Sequence, residues 1–228
     1  MNYNYQNFHP SYNKIPNHVG IIPDGTRRWA IKNDVDLFDA YYQAMLLLGE
    51  IIKYLFKRDV NIISLYFSSL QNFKRPKHEI DAFCNAEAIF CQKVLTELLL
   101  EYTFKVNIIG DSEIIPRFLL EESKEIEKQT NENSIREINL CIAYNPISEI
   151  QNAIKHSRGS NFLQFLQVKQ PLDIVIRSSG ANLTSNFLPL QSGFARLYFI
   201  EKFFNDVCIK DIESIINSFE NIDRKYGE

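Results

Sequence analysis

The chain has 228 residues, 25 Lys and Arg against 28 Asp and Glu, and a hydrophobic share of 45 %. It is too apolar to be disordered and long enough for one large core or two small ones. The near balance of charge argues against broad electrostatic capture of nucleic acid or of an anionic membrane, and no apolar run reaches the roughly 18 residues of a membrane span.

Met1–Asn17 carries Asn, Tyr and Pro without periodicity and lacks the apolar stretch of a signal peptide. It is expected to be a flexible N-terminal arm ahead of one domain over residues 18–228. His18–Ile22 is a short apolar run stopped by Pro23-Asp24-Gly25, the pattern of a buried strand and a turn. After the charged segment Thr26–Asn33, Ala44, Leu47, Leu48, Ile51, Ile52 and Leu55 recur at helical spacing within Phe38–Lys57. Asn61–Phe67 reads as the second strand, Glu79–Glu101 as a long helix and Lys105–Ile109 as the third strand, closed by Gly110-Asp111. Ile114–Thr130 is an amphipathic helix, Glu137–Tyr144 the fourth strand and Ile147–His156 a helix. Asp173–Arg177 and Arg196–Ile200 are the fifth and sixth strands, and Val207–Asn221 is the last helix. Short, almost wholly apolar strands alternating with helices predict one α/β domain with a mostly parallel six-stranded sheet flanked by helices.

The four cysteines, Cys84, Cys91, Cys141 and Cys208, show no metal-ligand spacing and read as free thiols of a cytoplasmic protein. His9, His18, His78 and His156 are scattered, and His18, at a strand start, reads as structural. The 17 Phe and 11 Tyr are first of all core material.

In such a fold ligands bind beyond the carboxyl ends of the strands. After the first strand stands Asp24-Gly25-Thr26-Arg27-Arg28-Trp29. Gly25 permits a tight turn, a helix starting near Thr26 would present free N–H groups to an anion, and the arginine fork suits phosphate. Asp24 could hold Mg²⁺ or assist ionisation of a phosphate ester. Taken alone, the segment fits a capped helix start with a solvated arginine pair equally well. Ser68-Ser69-Leu70-Gln71-Asn72-Phe73-Lys74-Arg75 after the second strand, and Arg177-Ser178-Ser179-Gly180 with Ser185-Asn186 after the fifth, add hydroxyls, amides and arginines at the same sheet edge. The convergence points to a phosphorylated ligand, most simply a diphosphate. There is no P-loop, GxGxxG, HExxH or GxSxG, which argues against a nucleotide hydrolase, a dinucleotide dehydrogenase, a zinc protease and an α/β-hydrolase.

HVGIIPDGTRRWA (His18–Ala30), LYFSSLQNFKRP (Leu65–Pro76) and DIVIRSSGANLTSNFLPLQSGFARLYF (Asp173–Phe199) resemble, in order and spacing, the three motifs of the cis-prenyltransferases, the undecaprenyl diphosphate synthase family. Asn107–Asp111 and Arg224–Gly227 fit as well. The resemblance implies the family's fold and a reaction in which an allylic diphosphate ionises and a second unit's double bond attacks the cation. It implies prenyl diphosphates (dimethylallyl, geranyl, farnesyl or longer) as ligands, Mg²⁺ as cofactor and a homodimer. It assigns Asp24, Ser69 and Asn72 as catalytic residues, with Asp24 also the metal ligand. Gly25, Thr26, Arg27, Arg28, Trp29, Tyr41 and Arg75 fall in the allylic diphosphate site, and Arg177 and Ser185 in the second substrate's; Arg196 is expected to gather with Arg27, Arg28, Arg75 and Arg177 around one diphosphate-sized site. The hydrocarbon is expected in a tunnel between the sheet and the helices Phe38–Lys57 and Glu79–Glu101, with Phe83 and Phe90, and Tyr41 and Tyr42 opposite, lining it.

The departures matter too. Tyr41 stands where the family has His, Leu183 replaces the second arginine of the third motif, and Arg196 replaces the glutamate that helps hold Mg²⁺. A guanidinium at 196 would neutralise phosphate but repel a metal ion. PDG-x-RRW, Tyr41, the SS-x-x-N-x-x-RP loop and Phe187–Leu190 are similar to the irregular branch, the lavandulyl and cyclolavandulyl diphosphate synthases. That implies head-to-middle condensation of allylic diphosphates with possible ring closure. Two alternatives stand beside it: a single-substrate terpene synthase or cyclase, and a non-catalytic partner subunit of a cis-prenyltransferase.

Overall fold

A computed structural model describes residues 14–130 and 134–220. Its strands are β1 (His18–Ile22), β2 (Ile62–Tyr66), β3 (Lys105–Ile109), β4 (Glu137–Cys141), β5 (Ile174–Arg177) and β6 (Arg196–Phe199). They form one sheet in the order β3-β4-β2-β1-β5-β6, and every pairing is parallel. β1, β2 and β5 are buried at every residue, while the edge strands β3 and β6 are partly exposed. Continuous apolar runs in the centre are what helices covering both faces require.

The helices are α1 (Thr26–Asn33), α2 (Leu37–Lys57), α3 (Lys77–Ile89), α4 (Arg117–Gln129), α5 (Pro146–Ser157) and α6 (Ile209–Glu220). The helix start expected near Thr26 is that of α1. In α2, Ala44, Leu48, Ile51, Ile52 and Leu55 are buried as expected, and only Leu47 is half-buried. α4 begins at Arg117 rather than Ile114, because Pro116 disfavours helical backbone in the residue before it. α5 begins one residue early, on Pro146, with the Asn145 side chain accepting from the Ile147 N–H. β4 stops at Cys141, three residues short of expectation, where Ala143 turns the chain with φ 49°. The long helix is not uniform: α3 passes into a π-helical segment, Phe90–Leu95, and then one turn, Thr96–Leu98. There α2 and α3 meet closely, for a Cβ on Gly49 would lie 2.5 Å from Val94 Cγ1.

Most of the expected N-terminal arm, and the match at Arg224–Gly227, lies outside the described residues. Asn17 is held: its carbonyl accepts from the N–H groups of Asn61 and Ile62, and its own N–H donates to Asp173 Oδ2 at 2.7 Å. Beside it a polar ladder crosses the sheet. His18 Nε2 accepts from Ser64 Oγ at 2.7 Å, Ser64 Oγ accepts from Asn139 Nδ2 at 3.0 Å, and Asn139 Oδ1 accepts from Asn107 Nδ2 at 2.9 Å. His18 Nδ1 donates to the carbonyls of Gln170 and Pro171, so both ring nitrogens are satisfied with the imidazole neutral. His18 is thus structural, as its position suggested. Cys84, Cys91 and Cys141 are buried and Cys208 is exposed, all as free thiols.

Candidate active site

The chain runs from β1 to β2 on one side of β1 and later returns to β5 on the other side. The crevice at such a switch is where an open parallel sheet takes its ligand. The ends of β1, β2 and β5 build one cavity of about 230 Å³. It is lined by Asp24, Gly25, Thr26, Arg27 and Arg28, by Ser68, Ser69, Asn72 and Arg75, and by Arg177 and Ser185. Tyr41, Tyr66, Phe67 and Phe83 line it as well.

Gly25 makes the cradle. Its φ of 101° sends the chain sharply into α1, whose first intrahelical bond runs from Trp29 N–H to Gly25 O. The N–H groups of Thr26, Arg27 and Arg28 therefore have no helical acceptor, which is the standard anion site of a helix start. A Cβ at 25 would meet Phe203 Cδ1 at 2.7 Å and Ser179 Cβ at 2.9 Å. Gly25→Ala is expected to destabilise the fold by about 1–3 kcal/mol and to weaken diphosphate binding, measured by urea unfolding and by calorimetry with inorganic diphosphate.

Asp24 is the electrostatic centre. Its Oδ2 accepts from Arg177 Nη2 at 2.8 Å and Ser179 Oγ at 2.8 Å, and lies 3.5 Å from Arg28 Nη2. Burial pushes its pKa up, but the bonds from Arg177 and Ser179 and the charges of Arg177 and Arg28 together outweigh that and hold it below the ordinary value. Arg177 also donates to Leu183 O at 2.8 Å and Ser185 Oγ at 2.7 Å. The backbone carbonyl of residue 183 thus meets Arg177, while the Leu183 side chain is exposed. Opposite, Glu79 takes Arg27 at 2.8 Å and lies 4.0 Å from Arg75. Ser69 donates to Asn72 Oδ1 from both its N–H and its hydroxyl, at 2.7 and 2.9 Å, which fixes that pair at the rim.

The floor is aromatic. The Tyr41 and Phe83 rings meet edge-on at 6.1 Å, Phe73 and Phe83 at 5.5 Å, and Phe67 rests edge-on against Phe90 at 5.1 Å. Arg75 reaches the Tyr41 hydroxyl at a long 3.5 Å. Tyr66 donates to Ser185 O at 3.1 Å and stacks on Phe187, and burial raises its pKa to about 12, so it stays a neutral donor. Where the resemblance implied a tunnel, the aromatic rings line a cavity of about 230 Å³.

Twelve of the residues named from sequence share this cavity: Asp24, Gly25, Thr26, Arg27, Arg28, Tyr41, Ser69, Asn72, Arg75, Phe83, Arg177 and Ser185. Three do not. Trp29 turns away and donates to Asp206 Oδ1 at 2.7 Å. Phe90 is fully buried behind Phe67 rather than in the lining. Arg196 pairs with Ile174 at the start of β6, whereas Arg177 pairs with Phe199. It therefore lies roughly 10 Å down the strands from the cradle, at about 3.3 Å per residue. Tyr42 stacks on Phe38 outside the cavity. Sequence reasoning passed over Glu79, Tyr66 and the role of Ser179. Glu79 carried a signal, since it stands four residues after Arg75 near a helix start.

Asp24 is the one carboxylate in the lining, and among the described residues no three His, Cys, Asp or Glu side chains cluster into a metal site. This fits Mg²⁺ arriving on a diphosphate, because Mg²⁺ is commonly held by one or two carboxylates together with substrate phosphates.

The family model described as putative undecaprenyl diphosphate synthase matches residues 22–227. A tritrans,polycis-undecaprenyl-diphosphate synthase (geranylgeranyl-diphosphate specific) from Pyrococcus furiosus is 31 % identical, covering 93 % of this chain and 87 % of its own. An isoprenyl transferase from Geobacillus kaustophilus is 30 % identical over 93 % of this chain and 89 % of its own. Among solved structures, lavandulyl diphosphate synthase from Lavandula x intermedia in complex with dimethylallyl diphosphate superposes with TM-score 0.87. It is 26 % identical, over 94 % of this chain and 99 % of that one.

Proposed function

The chain belongs to the undecaprenyl diphosphate synthase family of cis-prenyltransferases, and from that premise we propose that it joins short allylic diphosphates head-to-middle. The observation that carries this reading is the small volume of the site. An apolar cavity of about 150 Å³ holds one benzene. A cavity of about 230 Å³ that must also receive a diphosphate leaves room for one five-carbon unit, not for a chain of fifteen or twenty carbons. The likeness to a lavandulyl diphosphate synthase bound to dimethylallyl diphosphate supports the same ligand.

In the reaction the C1–O bond of the allylic diphosphate breaks and the diphosphate leaves with the electron pair. The N–H groups at the start of α1, with Arg27, Arg28 and Arg75, meet the negative charge as it develops, which is transition-state stabilisation by fixed donors. Asp24 holds Arg177 in place and would hold Mg²⁺ together with the diphosphate; the ion would supply further charge neutralisation on the leaving group. Tyr41, Phe67 and Phe83 keep water from the cation, and a ring face stabilises a cation by about 0.5–2 kcal/mol. The double bond of the second allylic unit attacks C1, and the resulting cation loses a proton, so the product keeps one diphosphate.

The chain is proposed to work as a homodimer. Leu190, Phe194 and Leu197 are exposed on and beside the edge strand β6, with Ile147 and Ile154 on α5. Apolar exposure of this kind suits a second copy.

The test is product analysis of the purified protein with dimethylallyl diphosphate, alone and paired with geranyl diphosphate, with and without Mg²⁺. A branched diphosphate is expected from the five-carbon substrate. Only linear products, or none from any pair, would reject the reading.

A further inference from the structure

Glu87 lies on α3 one helical turn beyond Phe83 and three residues before Phe90, on the same face as both. It is 2 % exposed. Its Oε2 is buried without a hydrogen-bond partner, and Ser68, which acts against the burial to lower its pKa, is a residue of the cavity lining. Ser68 Oγ accepts from Ala143 N–H at 3.2 Å, so this hydroxyl ties the end of β2 to the end of β4. Burial raises the Glu87 pKa well above the ordinary carboxylate range, so the group is a neutral acid in a dry place. Nothing in the chemistry proposed above uses it.

An unpaired buried polar atom opposes stability by about 1–3 kcal/mol, and apolar residues surround this one on the same helix: Ala82, Phe83, Ala86 and Phe90. An aromatic floor can swing aside on its χ angles, and hydrocarbon beneath it would welcome a longer chain. A carboxyl beneath it does not. Below Glu87 the Gly49–Val94 contact closes the gap between α2 and α3.

We infer that Glu87 is a specificity-determining residue: its buried carboxyl, one helical turn past Phe83 on the same face, is a polar stop that confines the allylic ligand to one five-carbon unit. This rests on the reading of the cavity as an allylic diphosphate site. A hydrocarbon tail threaded past Phe83 would lie against an acid that it cannot hydrogen-bond, so chain length is discriminated by polarity as well as by volume.

The test is calorimetric titration of the whole protein with the S-thiolo analogues of dimethylallyl and geranyl diphosphate. The variants are Glu87→Gln, which keeps size and polarity, and Glu87→Leu, which keeps size and removes polarity. The wild type and Glu87→Gln are expected to favour the five-carbon analogue. In Glu87→Leu the ratio of the two Kd values should move at least tenfold toward the ten-carbon analogue. An unchanged ratio in Glu87→Leu, or an equal shift in both variants, overturns the inference. Failure of the wild type to bind either analogue overturns the cavity reading itself. Thermal unfolding of each variant with inorganic diphosphate confirms a folded cradle before the ratio is read.

Discussion

Asp24→Asn is expected to lower turnover by about a hundred- to a thousandfold, the range seen when one fixed transition-state group is removed, while the protein stays folded. The substitution keeps the shape of the side chain and removes its charge. In the wild type that charge is secured by Arg177, which is 9 % exposed at the side chain and bonded at 2.8 Å, and by Ser179 and Arg28. The amide leaves the cradle with an excess of positive charge and no ionised oxygen to share Mg²⁺ with a diphosphate. Asp24→Ala adds a stability loss of about 1–3 kcal/mol, because it strands a nearly buried guanidinium. Steady-state kinetics with dimethylallyl diphosphate and urea unfolding separate the two effects. Undiminished kcat in Asp24→Asn would refute the assignment of Asp24 to the reaction.

The second large effect is on stability against pH. Burial lowers the His18 pKa to about 4, against 6.5 in the unfolded chain, despite the carbonyls of Pro171 and Gln170. Between those values the unfolded state binds more protons, so this group's contribution is complete above pH 6.5 and is lost as pH falls toward 4. At 1.36 kcal/mol per unit the loss is about 3 kcal/mol. Glu87 acts in the opposite sense. It stays protonated in the fold and ionises in the unfolded chain above about 4.5, so its contribution falls as pH rises through that value. The two oppose each other in the window between 4.5 and 6.5. Urea unfolding from pH 4 to 8 should show a shallow profile for the wild type. Glu87→Gln should expose a rise of about 3 kcal/mol toward pH 6.5, and His18→Gln a fall over the same range. Parallel profiles for all three proteins would contradict the opposition. Asp24 and Asp211, whose pKa values are lowered from 3.8, lose their contributions only at more acid pH.

The fold was legible because its strands are buried on both faces and so advertise themselves as apolar runs. The cradle was legible because parallel topology sends the ends of β1, β2 and β5 to one edge, wherever their loops wander. Arg196 was misplaced for a reason of register. Its level on the sheet depends on which residue of β5 it pairs with, and nothing local in the sequence states that. Trp29 was misplaced because it stands about 100° round α1 from Arg28, which turns its indole out of the cradle to Asp206. Phe90 carried the right spacing but lies one layer too deep. Glu87 was overlooked for the opposite reason: a glutamate in a helix reads as solvent-facing, although its spacing between Phe83 and Phe90 marks the inward face. The β4 end and the helix starts at Pro116 and Pro146 were each displaced by one backbone preference, a left-handed Ala143 or a proline.

The π-helical segment Phe90–Leu95 bears on how this lineage has been edited. A π turn holds one residue more than the α-helix that it interrupts, and each residue turns a helix by about 100°. The extra residue thus re-phases everything after it, leaving Phe83 in the cavity lining and Glu87 buried beyond it while Val94 is brought onto Gly49. Insertion of a single codon would produce such a change without replacing any side chain. The depth of the pocket is therefore open to evolution through chain length as well as residue identity, and an alignment that forces a gapless helix here would mistake one for the other.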